Sequence, residues 1–170
     1  MIIPRKPHPE VKWASKLSLE GESLRMVVLR KLEAINRDEL ASLKVAASQA
    51  EFVADNSYYL GLADEDDCWR AFGIYEEGLP VGFCMFGRDP KDGELWISQL
   101  MIDSAYQSRG YGRQALLLML DLIKAEADAS SVYLSFEPWN EWARALYESV
   151  GFVPDGRMEE EDVIYRLDVR

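Results

Sequence analysis

The stretch Gln107-Ser108-Arg109-Gly110-Tyr111-Gly112-Arg113 constrains this chain more than any other. Before it, Leu95 to Ile102 reads as a strand and Asp103 to Tyr106 as a loop. After it, Ala115-Leu116-Leu117-Leu118-Met119-Leu120 lies in a helix expected from Gly112 to about Ala127. A strand, a polar loop with glycines and a helix start together make an anion site. The first N–H groups of a helix have no partner within it, and the helix dipole adds roughly half a positive charge there. Glycine lets a ligand approach the main chain, and Arg109 and Arg113 add full charges. The expected occupant is a pyrophosphate.

Several phosphate loops share such letters. A Walker loop ends in Gly-Lys-Ser/Thr, which is absent. Gly110-x-Gly112-x-x-Ala115 fits the relaxed dinucleotide fingerprint, with Glu137 spaced as a ribose-binding acid. That reading needs its first glycine directly after the strand, and here Asp103 to Arg109 intervene. Two antiparallel-looking strands also precede the unit, and the chain that follows is expected to be too short for a second nucleotide half. The pattern Gln-x-x-Gly-x-Gly remains.

A chain of 170 residues with 48% apolar content can bury one core. Its net charge of −11 argues against nucleic acid, whose phosphates call for a surplus of Lys and Arg. The same charge suits a cationic substrate, because a negative potential raises the local cation concentration. Cys68 and Cys84 lie in strand-like apolar runs and read as core residues rather than a disulfide. No apolar run approaches the length of a membrane span, and no secretory signal is visible, so a cytoplasmic setting is expected. The single histidine, His8, lies among Pro4, Pro7 and Pro9. Ser-His-Asp catalysis and histidine-ligated metal sites are thereby close to excluded.

Residues 1–16 read as a loosely held, basic arm ahead of one domain over residues 17–170. Leu24 to Leu32 reads as a strand. Asn36 is the expected N-cap of a helix from Arg37 to about Ala47, and Asn56 or Ser57 that of a short second helix. Cys68 to Tyr75 and Leu79 to Phe86 read as strands joined at Glu77-Gly78, a hairpin signal. Val132, Leu134 and Phe136 alternate along a strand after the buried helix. Asn140 can cap a helix in which Ala143, Leu146, Tyr147 and Val150 recur at helical spacing, with Gly151 as its stop. Phe152 to Pro154 and the alternating Val163, Tyr165 and Leu167 read as a closing hairpin. The order β-α-α-β-β-β-α-β-α-β-β implies an α/β fold: a mixed sheet with helices on both faces, in which residues 95–136 form a right-handed strand–helix–strand unit with parallel strands.

The second informative stretch is Glu137-Pro138-Trp139-Asn140-Glu141-Trp142-Ala143-Arg144-Ala145-Leu146-Tyr147-Glu148-Ser149-Val150-Gly151-Phe152. Together with the glycine loop it resembles the two-part signature of the GCN5-related N-acetyltransferases, the GNAT family, across roughly residues 70 to 167. The resemblance implies a sheet of about seven mostly antiparallel strands with one splayed parallel pair. It implies acetyl-CoA as co-substrate, its pantetheine arm paired with the main chain of Met101, Ile102 and Asp103. Gln107, Ser108, Arg109, Gly110, Tyr111, Gly112 and Arg113 would hold the pyrophosphate, and Asn140 would contact the arm. Tyr147 matches the tyrosine that protonates the departing thiolate; as a residue of the apolar stripe it could bury its ring and still present its hydroxyl. Within the family, Met101-Ile102-Asp103, Tyr106-Gln107, Tyr133 to Pro138 and the ending through Ile164-Tyr165-Arg166-Leu167 resemble the bacterial spermine/spermidine acetyltransferases.

The chemistry adds demands. An alkyl ammonium with a pKa near about 10.4 is less than about 0.1% neutral at pH 7, and only the neutral amine attacks a thioester. A base, direct or through water, is therefore needed. Glu94, Asp103 and Glu137 lie near the strand ends where one could act, and the sequence does not choose among them. A backbone N–H near Leu100 to Ile102 is the expected donor to the oxyanion. Trp69, Trp96 and Trp139 could offer cation–π faces. The expected partner is a small cationic amine, with no nucleic acid, membrane or metal; a homodimer is left open. The competing readings are acetylation of a protein or drug amine, and a non-catalytic acyl-CoA-binding module, against which the intact Tyr147 argues.

Overall fold

The computed structural model describes residues 26–126 and 128–170. The basic arm, His8, Leu24 and Ala127 lie outside the described residues. Among the described residues seven strands form one sheet: β1 (Val27–Lys31), β2 (Trp69–Glu76), β3 (Leu79–Arg88), β4 (Leu95–Ile102), β5 (Ser131–Phe136), β6 (Val153–Glu159) and β7 (Asp162–Asp168), in the spatial order β1-β2-β3-β4-β5-β7-β6. Four α-helices accompany them among the described residues: α1 (Arg37–Ser42), α2 (Asn56–Glu65), α3 (Tyr111–Glu126) and α4 (Glu141–Glu148). Neighbouring strands are antiparallel except β4 and β5, which run parallel as expected for a strand–helix–strand unit. The GNAT-like mixed sheet is thus present.

The sheet separates two cores. On one face α3 buries Ala115, Leu116, Met119 and Ile123 against Ile74, Ile97 and Leu134. The helix is one-sided rather than apolar all round: Arg113, Leu117, Asp121 and Lys124 stay exposed at helical spacing on its other face. On the other face Leu40 of α1 and Leu60 of α2 pack on Ala71, Tyr75, Phe83 and Met101. The β2–β3 hairpin turns at Glu77 (φ 47°) and Gly78 (φ 85°), two left-handed residues whose twist matches that of the strands. Cys84 is fully buried and Cys68 partly so, and both are free.

Three local expectations need correction. α1 stops at Ser42 rather than near Ala47, and Leu43 is extended. Tertiary bonds take over the main chain there: Lys44 N donates to Asp103 Oδ2 at 2.9 Å, and Ser104 N donates to Lys44 O at 2.8 Å. Asn36 does hold the N-cap position, but its Oδ1 accepts from Glu33 N upstream at 2.8 Å instead of capping the helix. Asp55, not Asn56 or Ser57, caps α2 by accepting from Ser57 N at 3.0 Å. Asn56 is instead buried and donates to Leu40 O at 2.8 Å.

Candidate active site

β4 and β5 pair where Trp96 stands opposite Tyr133, their rings 5.6 Å apart, and then diverge. The gap beyond is part of a cleft of about 700 Å³ that runs from the glycine loop to the opposite side of the sheet. Leu100, Met101 and Ile102 form one bank, and Ser135, Phe136, Asn140 and Tyr147 the other. β3 leaves the gap side of β4 unused. Asp103 N donates to Val81 O at 2.9 Å. The two-residue alternation of an antiparallel ladder then turns the main-chain groups of Met101 toward β3 and those of Leu100 and Ile102 toward the gap.

At the phosphate end, the α3 ladder begins with Gln114 N donating to Gly110 O at 3.2 Å. The N–H groups of Tyr111, Gly112 and Arg113 therefore precede the ladder and are available to an anion. Ser108 (φ 62°) and Gly110 (φ 79°) are left-handed and fold the loop over the helix start. A Cβ placed on Gly112 would meet only Ile102 Cγ1 at 3.7 Å and Leu146 Cδ2 at 3.8 Å, ordinary contacts. Packing within the chain thus leaves room at this glycine, and its smallness keeps the cradle open to a ligand. These features fit a diphosphate followed by a slender arm.

The other expected residues are placed variously. Gln107, Ser108, Gly110, Tyr111, Gly112 and Arg113 line the cleft. Arg109 turns back on its own loop, donating to Ala105 O at 3.0 Å with its guanidinium 5.4 Å from the Tyr106 ring centre. Asp103 does not line the cleft; its carboxylate accepts from Ala105 N and Lys44 N. Asn140 caps α4, accepting from Ala143 N at 3.1 Å, and lines the cleft beside Ala143. Tyr147 stacks between Phe136 (5.6 Å) and Phe152 (5.8 Å). Its ring keeps some exposure to the cleft, but the surrounding protein pushes its phenol up to about 12, with Tyr59 adding to the shift. Glu94 is held by Arg157 at 2.9 Å. Of the three carboxylates offered as bases, Glu137 alone lines the cleft.

The far end of the cleft holds side chains that the sequence reading missed. Tyr59 from α2, Trp142 from α4, and Glu159 and Asp162 from the β6–β7 turn line it, together with Trp69 and Trp96; Trp139 does not. Asp162 titrates above the usual carboxylate range, first through burial and then through the charges of Glu137, Glu159, Glu160 and Glu161. Burial, with smaller effects of Tyr58 and Glu137, likewise raises Tyr59. Among the described residues none of Glu137, Glu159 and Asp162 forms an ion pair. The run Glu159-Glu160-Glu161-Asp162 was the available sequence signal.

Residues 32–152 match the family model described as the acetyltransferase (GNAT) family. The spermine/spermidine N(1)-acetyltransferase of Bacillus subtilis is 29% identical over 130 residues, covering 73% of this chain and 86% of that one. The N-alpha-acetyltransferase RimI of Mycobacterium tuberculosis is 41% identical over 72 residues, 42% of each chain. Among solved structures, the spermidine N-acetyltransferase of Vibrio cholerae in complex with CoA and spermine has a TM-score of 0.65 at 19% identity, covering 83% of this chain and 93% of that one.

Proposed function

This chain belongs to the acetyl-CoA-dependent GNAT acetyltransferases, and from that premise we propose that the amine it acetylates is a polyamine of the spermine/spermidine class. The observation that carries the reading is the group Glu137, Glu159 and Asp162 lining one cleft, where Asp162 is raised first by burial and then by the charges of its acidic neighbours. Crowded carboxylates without paired cations favour a ligand that brings several positive charges. The group is not arranged to hold a metal ion among the described residues. Trp69 and Trp96, which line the same cleft, suit alkylammonium groups, which gain from aromatic faces. The names of the Bacillus and Vibrio relatives agree with this reading.

Acetyl-CoA supplies an acyl carbon activated as a thioester. Tyr111, Gly112 and Arg113 hold its diphosphate through main-chain N–H groups, with Arg113 adding a full charge. Ser108 and Gly110 shape the loop around it. Leu100, and Ile102 through its N–H, offer their gap-facing main chain to the arm, the Ile102 O being held by Gln107, and Asn140 closes the other bank. Glu137 receives the proton that the ammonium must lose, directly or through one water. Glu137 passes that proton to solvent. The neutral nitrogen attacks the carbonyl carbon, and the C–S bond breaks with its electron pair going to sulfur. The second proton that the nitrogen sheds on becoming an amide goes to the freed Glu137 carboxylate. Tyr147, fully protonated at neutral pH, donates its O–H to that sulfur and regains a proton from solvent.

Thiol release with spermine, spermidine, putrescine, N-terminal peptides and aminoglycosides tests the reading. Spermine or spermidine should lead the panel by at least about tenfold in kcat/KM, a gap of roughly 1.4 kcal/mol. A peptide in the lead would favour protein N-terminal acetylation, the activity in the name of the Mycobacterium relative. Tight acetyl-CoA binding with no release from any amine would leave only a binding module.

A further inference from the structure

β4 carries a bulge within the cleft. Met85 of β3 stands opposite Gln99 and Phe86 opposite Ile97, which leaves Ser98 as the extra residue. The bulge inverts the strand's phase. Leu95 and Ile97 pack on the α3 side before it, and Leu100 and Ile102 do so after it. Gln99 therefore shares the face of Met101, and it lines the cleft. Only 6% of Gln99 is exposed.

Its carboxamide is half satisfied. Gln99 Oε1 accepts from Leu100 N at 3.1 Å, which fixes the orientation of the amide, since an N–H cannot donate to an NH2 group. Gln99 Nε2 is buried with no partner. A buried donor left unpaired is costly, and such groups in native proteins call for an explanation. The Leu100 N–H is one of those turned to the gap, where β5 has diverged, so the neighbouring side chain covers it in place of a strand.

We infer that Gln99 is a catalytic side-chain donor to the thioester oxygen. Its Oε1 shields the Leu100 N–H in the free chain; when acetyl-CoA enters, the carboxamide turns, and the carbonyl oxygen takes the Leu100 N–H and the Gln99 Nε2–H together. As the amine nitrogen bonds to carbon, the C=O π pair moves onto that oxygen, where both donors hold it. The pair returns as the C–S bond breaks, the sulfur takes the Tyr147 proton, and the nitrogen's proton passes to Glu137. An NH2 donor has nothing to offer an ammonium, so this role rests on acetyl transfer itself and not on the polyamine reading.

The test compares Gln99→Leu with the shape-matched Gln99→Glu, using the amine that the wild-type chain acetylates fastest. We expect kcat to fall by about a hundredfold in both, as for loss of one oxyanion donor. The affinity for CoA, which lacks the carbonyl, should stay within about twofold by calorimetry. The thermal midpoint of Gln99→Leu should be unchanged or higher, because the unpaired donor is gone. A kcat within about threefold of wild type in either folded variant would overturn the inference, as would a loss of CoA affinity or thermal midpoint in parallel with kcat. Absence of wild-type turnover with every amine would count against the acetyl-transfer reading and this inference together; normal turnover by both variants would sink this inference alone.

Discussion

Gln107 ties the phosphate loop to the segment after α1: its Nε2 donates to Gln49 Oε1 at 2.7 Å and to Ile102 O at 2.9 Å. Both glutamines line the cleft. The link runs beside the Lys44–Asp103 and Ser104–Lys44 bonds, so the segment after α1 is braced against the segment after β4. Filling one half of the cleft should therefore steady the other. Gln49→Ala removes one hydrogen bond, worth about 0.5–1.5 kcal/mol, and should raise KM for both acetyl-CoA and amine by about two- to tenfold with kcat nearly unchanged. Bisubstrate kinetics would show this; a rise confined to one substrate would mean that the bond does not link the two halves.

Gly112→Asp should abolish acetyl-CoA binding while leaving the fold intact. The Cβ has room, and the backbone there is not left-handed. The added carboxylate, however, would meet the diphosphate at the helix start and oppose its charge. The expected result is a wild-type thermal midpoint with no heat of acetyl-CoA binding in calorimetry. Normal affinity would remove the loop from the site.

Tyr147→Phe should lower kcat by about 10²-fold, within the range for a positioned acid, with CoA affinity kept. The phenol is raised to about 12, so it stays protonated where an ordinary tyrosine begins to ionise near 10. In the wild type, kcat/KM should climb with pH as the amine loses its proton, and no descending limb should arise from Tyr147 below about pH 10. A fall centred near 8 or 9 in the wild type that vanished in the Phe variant would contradict the raised value.

The parts of the site that were legible in the sequence are those set by local chemistry. The glycine loop, the α3 stripe and the Asn140 cap depend on residues within a few positions of one another, and each forms where the pattern put it. What could not be read depends on distant pairing. The bulge at Ser98 is hidden because burial alternates evenly from Leu95 to Ile102, while the side on which the residues pack changes midway. The end of α1 is not legible because Leu43 continues its apolar spacing, whereas tertiary bonds to Lys44 end the helix at Ser42. The acidic run at the β6–β7 turn was visible as composition. Its nearness to Glu137 follows only from the strand order, which sets Phe136 opposite Val163 and so brings Asp162 to the end of β5.

That strand order gives the last prediction its form. If Glu159 and Asp162 attract the acceptor's distal charges while Glu137 works on the reacting nitrogen, their substitutions should separate in the kinetics. Glu159→Gln and Asp162→Asn should each raise KM for spermine by about fivefold, within the range of one partly exposed charge pair. They should spare kcat and have little effect on a monoamine. Glu137→Gln should instead lower kcat by about 10²–10⁴-fold. The raised Asp162 carboxyl also sets a sign. It takes up a proton at a higher pH than an isolated aspartate, so the cluster loses charge early as pH falls, and KM for spermine should rise on acidification more steeply in the wild type than in Asp162→Asn. Salt should weaken spermine binding for the same reason, since screening acts most on multiply charged pairs. Initial-rate measurements over pH and ionic strength, with spermine and a monoamine in parallel, decide the matter: equal changes in KM for the two amines would show that the acidic group does not read the acceptor's charge.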